Sequence, residues 1–239
     1  MYELKTKVLF SQINQDGYLP IEKIVDYFQD VATAQSEELG VGMHYLNKIN
    51  RAWLLSSWQV EVKRYPVLGE DILVQTWPHA FKGFLGYRNA RLCTTDGEEL
   101  AIANAIWTYV DTEVMHPARL TDDIYGAYTL EEKIPMDYAS RKITVPAESE
   151  IKQLEPVVIK QHHLDTNHHV NNGQYIVLAA DCLPEHAIVN KLRAEYKDAA
   201  VLGDVIYPKE IVLDNKRYIL LQNKEGKDYC VVEFEVSEC

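Results

Sequence analysis

Val67-Leu68-Gly69-Glu70-Asp71-Ile72, preceded by Tyr65, returns later in the chain as Val201-Leu202-Gly203-Asp204-Val205-Ile206, preceded by Tyr196. Both runs fall between the first and second strand-like segments that follow a helix-like one. A short match inside a shared order of elements is the mark of duplication. Outward from the first copy, Pro20 to about Leu39 carries Ile21, Ile24, Val25, Phe28, Val31, Ala32 and Leu39, a stripe at the 3.6-residue period of a helix. Pro20 suits the first helical position, where no N–H is needed, and Gly40 suits the stop. Ahead of it, Lys5 to Phe10 reads as a strand and Asp16-Gly17 as a turn. Beyond it, Trp58, Val60 and Val62 alternate with Gln59, Glu61 and Lys63, the period of a strand with one face inward. Ile72 to Trp77 is the next strand. Gly86 to Thr94 and Leu100 to Val110 follow, joined across the hairpin signal Asp96-Gly97.

The second copy reads the same way. Val157 to His162 resembles a strand and Asn172 to Leu183 a helix. Strands follow at Val189 to Tyr196, Val205 to Leu213, Arg217 to Gln222 and Asp228 to Val236, with Glu225-Gly226 in the place of Asp96-Gly97. Between the copies, Asp111 to about Leu154 is punctuated by Pro117, Pro135 and Pro146 and has weak periodicity. So long a connection is unusual inside a domain and reasonable between two similar halves, with short helical or strand pieces at most. The expected division is a first repeat over 1–115, a connection over 116–154 and a second repeat over 155–239. A long helix followed by an antiparallel sheet, twice over, defines an α+β chain of two units.

The chain has 239 residues, 47% hydrophobic and 25% charged, enough to bury roughly 70% of its unfolded surface without disulfide staples. No apolar run approaches the ~20 residues of a membrane span, so no membrane insertion is expected. Met1-Tyr2-Glu3-Leu4-Lys5 lacks the apolar stretch of a secretory signal, and a cytoplasmic protein is the default. Cys93, Cys182, Cys230 and Cys239 are scattered without CxxC spacing, which argues against a thiolate metal site and for buried or idle thiols. The net charge of −12 argues against general nucleic-acid binding. It is also awkward for an acidic protein partner, unless a local basic patch offsets it; Arg88, Arg91, Lys191, Arg193 and Lys197 are the candidates. Neither a Gly-rich phosphate loop nor a GxSxG elbow is present. Trp53, Trp58, Trp77 and Trp107 fall on expected strands, where core packing is favoured over lining a tunnel.

The densest polar cluster is His162-His163-Leu164-Asp165-Thr166-Asn167-His168-His169-Val170-Asn171-Asn172, between an expected strand and an expected helix. If it is extended, Asp165, Asn167 and His169 share parity and point one way. A carboxylate that attacks or activates water, an amide that holds an oxygen and an imidazole that shuttles a proton then meet. Free N–H groups at the helix start would add an oxyanion site. The structural reading is that Asp165 and the asparagines turn and cap the chain. A zinc or nickel site from the four histidines is disfavoured, because they form adjacent pairs whose members point oppositely on a strand.

The run Leu164-Asp165-Thr166-Asn167-His168-His169-Val170-Asn171-Asn172-Gly173-Gln174-Tyr175-Ile176 resembles the active-site signature of acyl-acyl-carrier-protein thioesterases. Val62-Lys63-Arg64-Tyr65-Pro66 with Gly69-Glu70-Asp71, Ala105-Ile106-Trp107 and Glu195-Tyr196-Lys197 extend the resemblance over nearly the whole chain. The resemblance implies a double hotdog fold, two tandem repeats in which a sheet wraps a long helix. It implies hydrolysis of fatty acyl-acyl carrier protein in fatty acid biosynthesis, with acyl carrier protein as partner and no metal or organic cofactor. It places catalysis on Asp165, Asn167 and His169 in the second repeat and the acyl pocket in the first. With no sign of a plastid transit peptide, a bacterial member is expected. One departure stands out: Ala199 occupies the place of a family Glu, and Asp198 beside it is the candidate second carboxylate, though neighbours on a strand face opposite sides. Acyl-coenzyme A hydrolysis on the same fold and acyl binding without turnover are the alternatives. Two repeats in one chain need no partner to pair, and a homodimer stays open.

Overall fold

The computed structural model describes residues 1–146 and 150–237. Cys239 lies outside the described residues. The chain divides into two compact units, one of Met1–Ser56 with Val60–Ala139, the other of Ser57–Gln59 with Ser140–Cys239.

The first unit contains β1 (Tyr2–Lys7), α1 (Ile21–Glu38), α2 (Met43–Lys48), β2 (Arg51–Val62), β3 (Asp71–Lys82), β4 (Leu85–Thr94), β5 (Glu99–Asp111), β6 (His116–Pro117) and α3 (Asp122–Ala127). Its sheet runs β1-β3-β4-β5-β2, and β1–β3, β3–β4 and β4–β5 are antiparallel. The stripe of α1 is the buried one: Ile24, Val25, Phe28 and Val31 are fully buried, and the helix packs on β1, β3 and β4. Each such side chain contributes about 1.5–3 kcal/mol by burial. Pro20 is the N-cap, one position earlier than the sequence reading placed it. Its carbonyl accepts Lys23 N–H and Ile24 N–H at 3.0 and 3.1 Å, a role that needs no N–H of its own.

The second unit contains β7 (Ile151–Gln153), β8 (Val157–Val158), α4 (Asn172–Ala180), β9 (Ile188–Tyr196), β10 (Val205–Leu213), β11 (Lys216–Gln222) and β12 (Asp228–Ser237). Its sheet runs β9-β12-β11-β10-β7, with β8 also on β10. The buried face of α4, with Tyr175, Ile176, Leu178 and Ala179, packs on β11 and β12. The buried acids of this sheet are paired. Glu210 meets Arg217 at 2.5 Å, and Glu233 meets both Arg193 and Lys216 at 3.0 Å, as burial of charge requires.

Three sequence boundaries are corrected. The strand expected over Lys5 to Phe10 ends at Lys7, because Gln12 Oε1 accepts Leu9 N–H at 2.9 Å and closes a 3-10 turn over Phe10–Gln12. The strand expected over Val157 to His162 stops at Val158 for the same reason: His163 Nδ1 accepts Lys160 N–H at 3.1 Å over the turn Gln161–His163. Helix α4 ends at Ala180 rather than Leu183. Cys182 and Leu183 make three-residue turns onto Ala179 and Ala180, and Pro184 cannot extend a helix. The connecting segment is packed by its apolar residues: Ile124 with Leu46 and Tyr109, Ile134 with Trp77 and Ile102, Ile143 with Ile211 and Tyr218.

The duplication extends to individual hydrogen bonds. Gly69 and Gly203 take φ +82° and +87°, the third position of a turn that favours glycine. In the first unit Glu70 N–H donates to Val67 O and the Glu70 carboxylate accepts Val67 N–H, at 3.1 and 3.0 Å. In the second, Asp204 N–H donates to Val201 O and the Asp204 carboxylate accepts Val201 N–H, again at 3.1 and 3.0 Å.

Candidate active site

The segment holding Asp165, Asn167 and His169 is a tight turn, which overturns the extended reading. Leu164 bridges Val170, Asp165 N–H donates to His169 O at 2.8 Å, and His168 N–H donates back to Asp165 O at 3.2 Å. Inside the turn, Asp165 Oδ1 accepts the N–H groups of Asn167 and His169 at 2.8 and 3.2 Å. Asp165 and His169 therefore face each other across the turn and Asn167 stands at its tip. The turn, and not strand parity, sets where the three residues stand. Asp165 is half-buried, and Asn167 and His169 are exposed. Among the described residues, Asp165 Oδ2, the Asn167 amide and the His169 ring have no hydrogen-bond partner. His168 takes φ +61°, a left-handed conformation unusual for a residue with a Cβ, and such strain concentrates at functional turns.

The first unit contains the same turn without the same chemistry. Asn14 Oδ1 accepts Asp16 N–H and Tyr18 N–H at 3.1 and 3.3 Å. Asn14 N–H donates to Tyr18 O, and Gly17 N–H to Asn14 O, at 2.9 and 3.1 Å. Tyr18 bridges Val67 as His169 bridges Val201. Asn14, Asp16, Gly17 and Tyr18 thus stand where the second unit has Asp165, Asn167, His168 and His169. The signal was present in the sequence as Asn14-x-Asp16-Gly17-Tyr18, as far ahead of its helix as Asp165-x-Asn167-His168-His169 is of the other.

The walls of the turn come from its own unit. His163 is buried and fixed through Nδ1; burial, with His162 and Lys160 nearby, holds its pKa below the usual imidazole value. Val170 N–H donates to Ala200 O at 2.9 Å, and the buried Tyr175 hydroxyl accepts Ala200 N–H at 2.8 Å. Asn171 caps α4 by accepting Gly173 N–H at 2.8 Å, and Gln174 N–H donates to Asn171 O. Those two N–H groups are therefore already engaged, which corrects the expectation of free donors at this helix start.

Asp198 lies outside any strand, since β9 ends at Tyr196, so strand alternation does not orient it. Lys197 and Asp198 both donate their N–H to Tyr229 O, and Ala199 N–H donates to Asp198 Oδ1 at 3.0 Å. Lys227 pairs with Asp198 Oδ2. That ammonium, the Ala199 N–H and the His169 imidazole together hold the Asp198 carboxyl below the usual range. Sequence reasoning missed Lys227, which is distant in the chain.

Four of the five basic residues offered for a patch stand in different settings. Arg88 is buried, and Arg91 is bound to Gln75 at 2.6 Å. Arg193 is paired with Glu233 and Lys197 with Asp228 at 3.0 and 2.8 Å. Among the described residues, no group of three or more His, Cys, Asp or Glu side chains is arranged to hold a metal ion, and no helix is long and apolar enough to cross a membrane. Cys93 and Cys230 are buried thiols, and Cys182 is half-buried.

The geometry defines a duplicated helix-on-sheet scaffold whose second copy alone carries an acid, an amide and an imidazole on its turn. The acyl-ACP thioesterase N-terminal domain matches residues 1–128 and the C-terminal domain residues 143–238. The chain belongs to the acyl-ACP thioesterase family. It is 27% identical over 223 residues to the chloroplastic palmitoyl-acyl carrier protein thioesterase of Gossypium hirsutum, covering 85% of this chain and 53% of the relative. It is 24% identical over 207 residues to oleoyl-acyl carrier protein thioesterase 2, chloroplastic, of Arabidopsis thaliana, covering 78% and 55%. The chain spans about half the length of the curated relatives it matches. The crystal structure of an acyl-ACP thioesterase from Bacteroides thetaiotaomicron VPI-5482 superposes with a TM-score of 0.90 at 20% identity, covering 98% of this chain and 97% of the other. The fold is the double hotdog that the family resemblance implied.

Proposed function

We propose that the protein hydrolyses fatty acyl-acyl carrier protein thioesters to free fatty acid and carrier protein, using Asp165, Asn167 and His169. The observation that carries this reading is the paired turn. Asn14 makes in the first unit every backbone bond that Asp165 makes in the second. An amide is sufficient for the turn, so the charge on Asp165 serves something else. Its free Oδ2 attacks the thioester carbonyl or deprotonates the water that does. The Asn167 amide donates to the developing oxyanion. The carbon–sulfur bond breaks, and the departing thiolate takes a proton from protonated His169; water supplies the hydroxyl of the fatty acid, either directly or by opening the acyl anhydride that attack by Asp165 forms, and its proton passes back to the imidazole.

Asp198 is the second carboxylate of this reading. The methyl side chain of Ala199 cannot replace the carboxylate of the family Glu, and the His169 imidazole acts on Asp198 through charge. The second repeat carries the reaction, and the first holds the acyl chain. Acyl carrier protein is the macromolecular partner, and the cytoplasm the location.

The test is hydrolysis of a panel of acyl-acyl carrier proteins by the native chain, Asp165→Asn and His169→Ala. A loss of about 100-fold or more in both variants, with folding retained, is the expected result, since positioned acid–base groups typically contribute that much. Saturable acyl binding without turnover by the native chain would replace hydrolysis with sensing. Equal rates on coenzyme A thioesters would remove the carrier protein from the reading.

A further inference from the structure

The interior of the first unit holds a cation without a counter-ion. Arg88 on β4 is 8% exposed. Its Nη1 donates to Gln35 Oε1 of α1 and, at 3.2 Å, to Thr76 Oγ1 of β3. Its guanidinium carbon lies 5.6 Å from the centre of the Tyr128 ring. All three partners are neutral. Among the described residues no carboxylate pairs with Arg88, and Nε and Nη2 have no acceptor. The buried acids Glu210 and Glu233, by contrast, are each paired with cations. Burial pulls the Arg88 pKa down to about 10, so the guanidinium stays charged at neutral pH and needs acceptors for its remaining N–H groups.

Aromatic rings and small residues lie around it. Gly86, Arg88 and Ala90 share one face of β4 by strand alternation, so small residues flank the guanidinium. A Cβ at Gly86 would stand 3.1 Å from the Trp53 ring and 3.3 Å from Phe81. Trp53 therefore lies directly on the strand backbone. Trp53 stacks with Phe81 at 6.2 Å and tilts against Tyr109 at 5.0 Å, and Phe81 meets Tyr128 at 5.8 Å. An aromatic wall ends, at Tyr128, against a guanidinium whose Nε and Nη2 have no acceptor among the described residues.

We propose that Arg88 reads the chemistry of the acyl chain held in the first unit, its Nε and Nη2 N–H groups receiving an oxygen on the distal part of the chain. The inference rests on the acyl-binding role given above to that unit. An alkyl end laid over the fork strips solvent from charged donors and offers no acceptor. A hydroxyl or oxo group there makes a charge-assisted hydrogen bond. A site built to bond an oxygen discriminates strongly against the analogue that lacks it. The substrate class is thus a fatty acyl thioester oxygenated away from the thioester.

The experiment uses matched acyl-acyl carrier protein pairs, from hexanoyl to hexadecanoyl, each with a terminal methyl or a terminal hydroxyl. The native chain is compared with Arg88→Met and Arg88→Gln. Substituting Arg88 leaves no buried carboxylate uncompensated, and the Gln variant keeps a donor for Gln35 and Thr76 should Met disturb the packing. At one or more chain lengths, the native protein is expected to favour the hydroxylated member by about tenfold or more in kcat/KM, with that preference lost in both variants. A native preference for the methyl member at every length, or a preference unchanged by substitution, overturns the inference. Calorimetric binding of the matched free acids to the same three proteins separates the two readings. If no thioester is hydrolysed but the hydroxy acid binds more tightly in an Arg88-dependent way, Arg88 keeps its role and the hydrolytic reading falls. Equal binding of both acids overturns the role of Arg88 whatever the activity.

Discussion

Asp165 Oδ1 accepts the N–H of His169 at 3.2 Å across a turn whose tip is Asn167. One carboxylate oxygen is thus committed to shaping the turn, while the other has no hydrogen-bond partner among the described residues. Asn14 shapes the corresponding turn of the first unit with an amide oxygen. Asp165→Asn should therefore keep native stability and lose about 100-fold or more in turnover. Asp165→Ala should lose turnover and, in addition, about 0.5–2 kcal/mol of stability with its acceptor. Urea denaturation beside a turnover assay separates the two; a large stability loss in the Asn variant would break the analogy between the turns.

Lys227 holds the Asp198 carboxyl below the usual range, with the Ala199 N–H and the His169 imidazole adding to the pull. If Asp198 works as a carboxylate, the acid limb of the pH–rate profile lies low because of that pairing. Lys227→Met should raise the Asp198 pKa and move the limb to higher pH, and the shift should vanish when Asp198→Asn is added. A limb that stays in place in Lys227→Met would remove Asp198 from the reaction.

Buried His163 has a pKa below its ordinary value of 6.5, and its Nδ1 accepts Lys160 N–H. The unfolded chain binds a proton here before the folded one does. The contribution of His163 is complete above about pH 6.5 and is lost as pH falls towards and through the folded value. Gln12 makes the equivalent bond in the first unit. His163→Gln should accordingly keep the turn and flatten the decline of stability below pH ~6.5, measured as denaturation midpoint against pH.

Tyr175 supports the loop opposite the turn by accepting Ala200 N–H at 2.8 Å. Ala200 is fully buried, and its carbonyl accepts Val170 N–H. Tyr175→Phe leaves a buried N–H without a partner, and a cost of about 1–3 kcal/mol follows. Because Asp198 and Ala199 precede this anchor, turnover should fall as well, without the change in pH profile expected for Lys227→Met. Chemical denaturation and kcat measured on one preparation check both.

Periodicity was enough to read α1, α4 and the long strands of both units, though not α2 or the extent of the short strands. The stripe from Ile21 to Ala32 and the alternation from Trp58 to Val62 reflect burial of one face, and one-sided burial writes itself into local sequence. The Gly69 and Gly203 turns were equally legible, because a backbone with φ near +80° selects glycine. The cluster from Asp165 to His169 was visible as chemistry, but its shape was not. Its conformation is set by side chains bonding to backbone, Asp165 to Asn167 and His169, and a residue list does not say whether a carboxylate turns to its own chain or to a ligand. The helix end at Ala180 depended on similarly local competition. What only the tertiary structure decided are relations between distant residues. Lys227 pairs with Asp198, Tyr175 anchors Ala200, and Arg88, read as surface charge from its type, is buried against Gln35, Thr76 and Tyr128. Local sequence carries the period of a helix or strand because neighbours along the chain share one backbone geometry. Partners brought together by packing share none, so the charge state and reach of Asp198 and Arg88 appear only once the chain has folded.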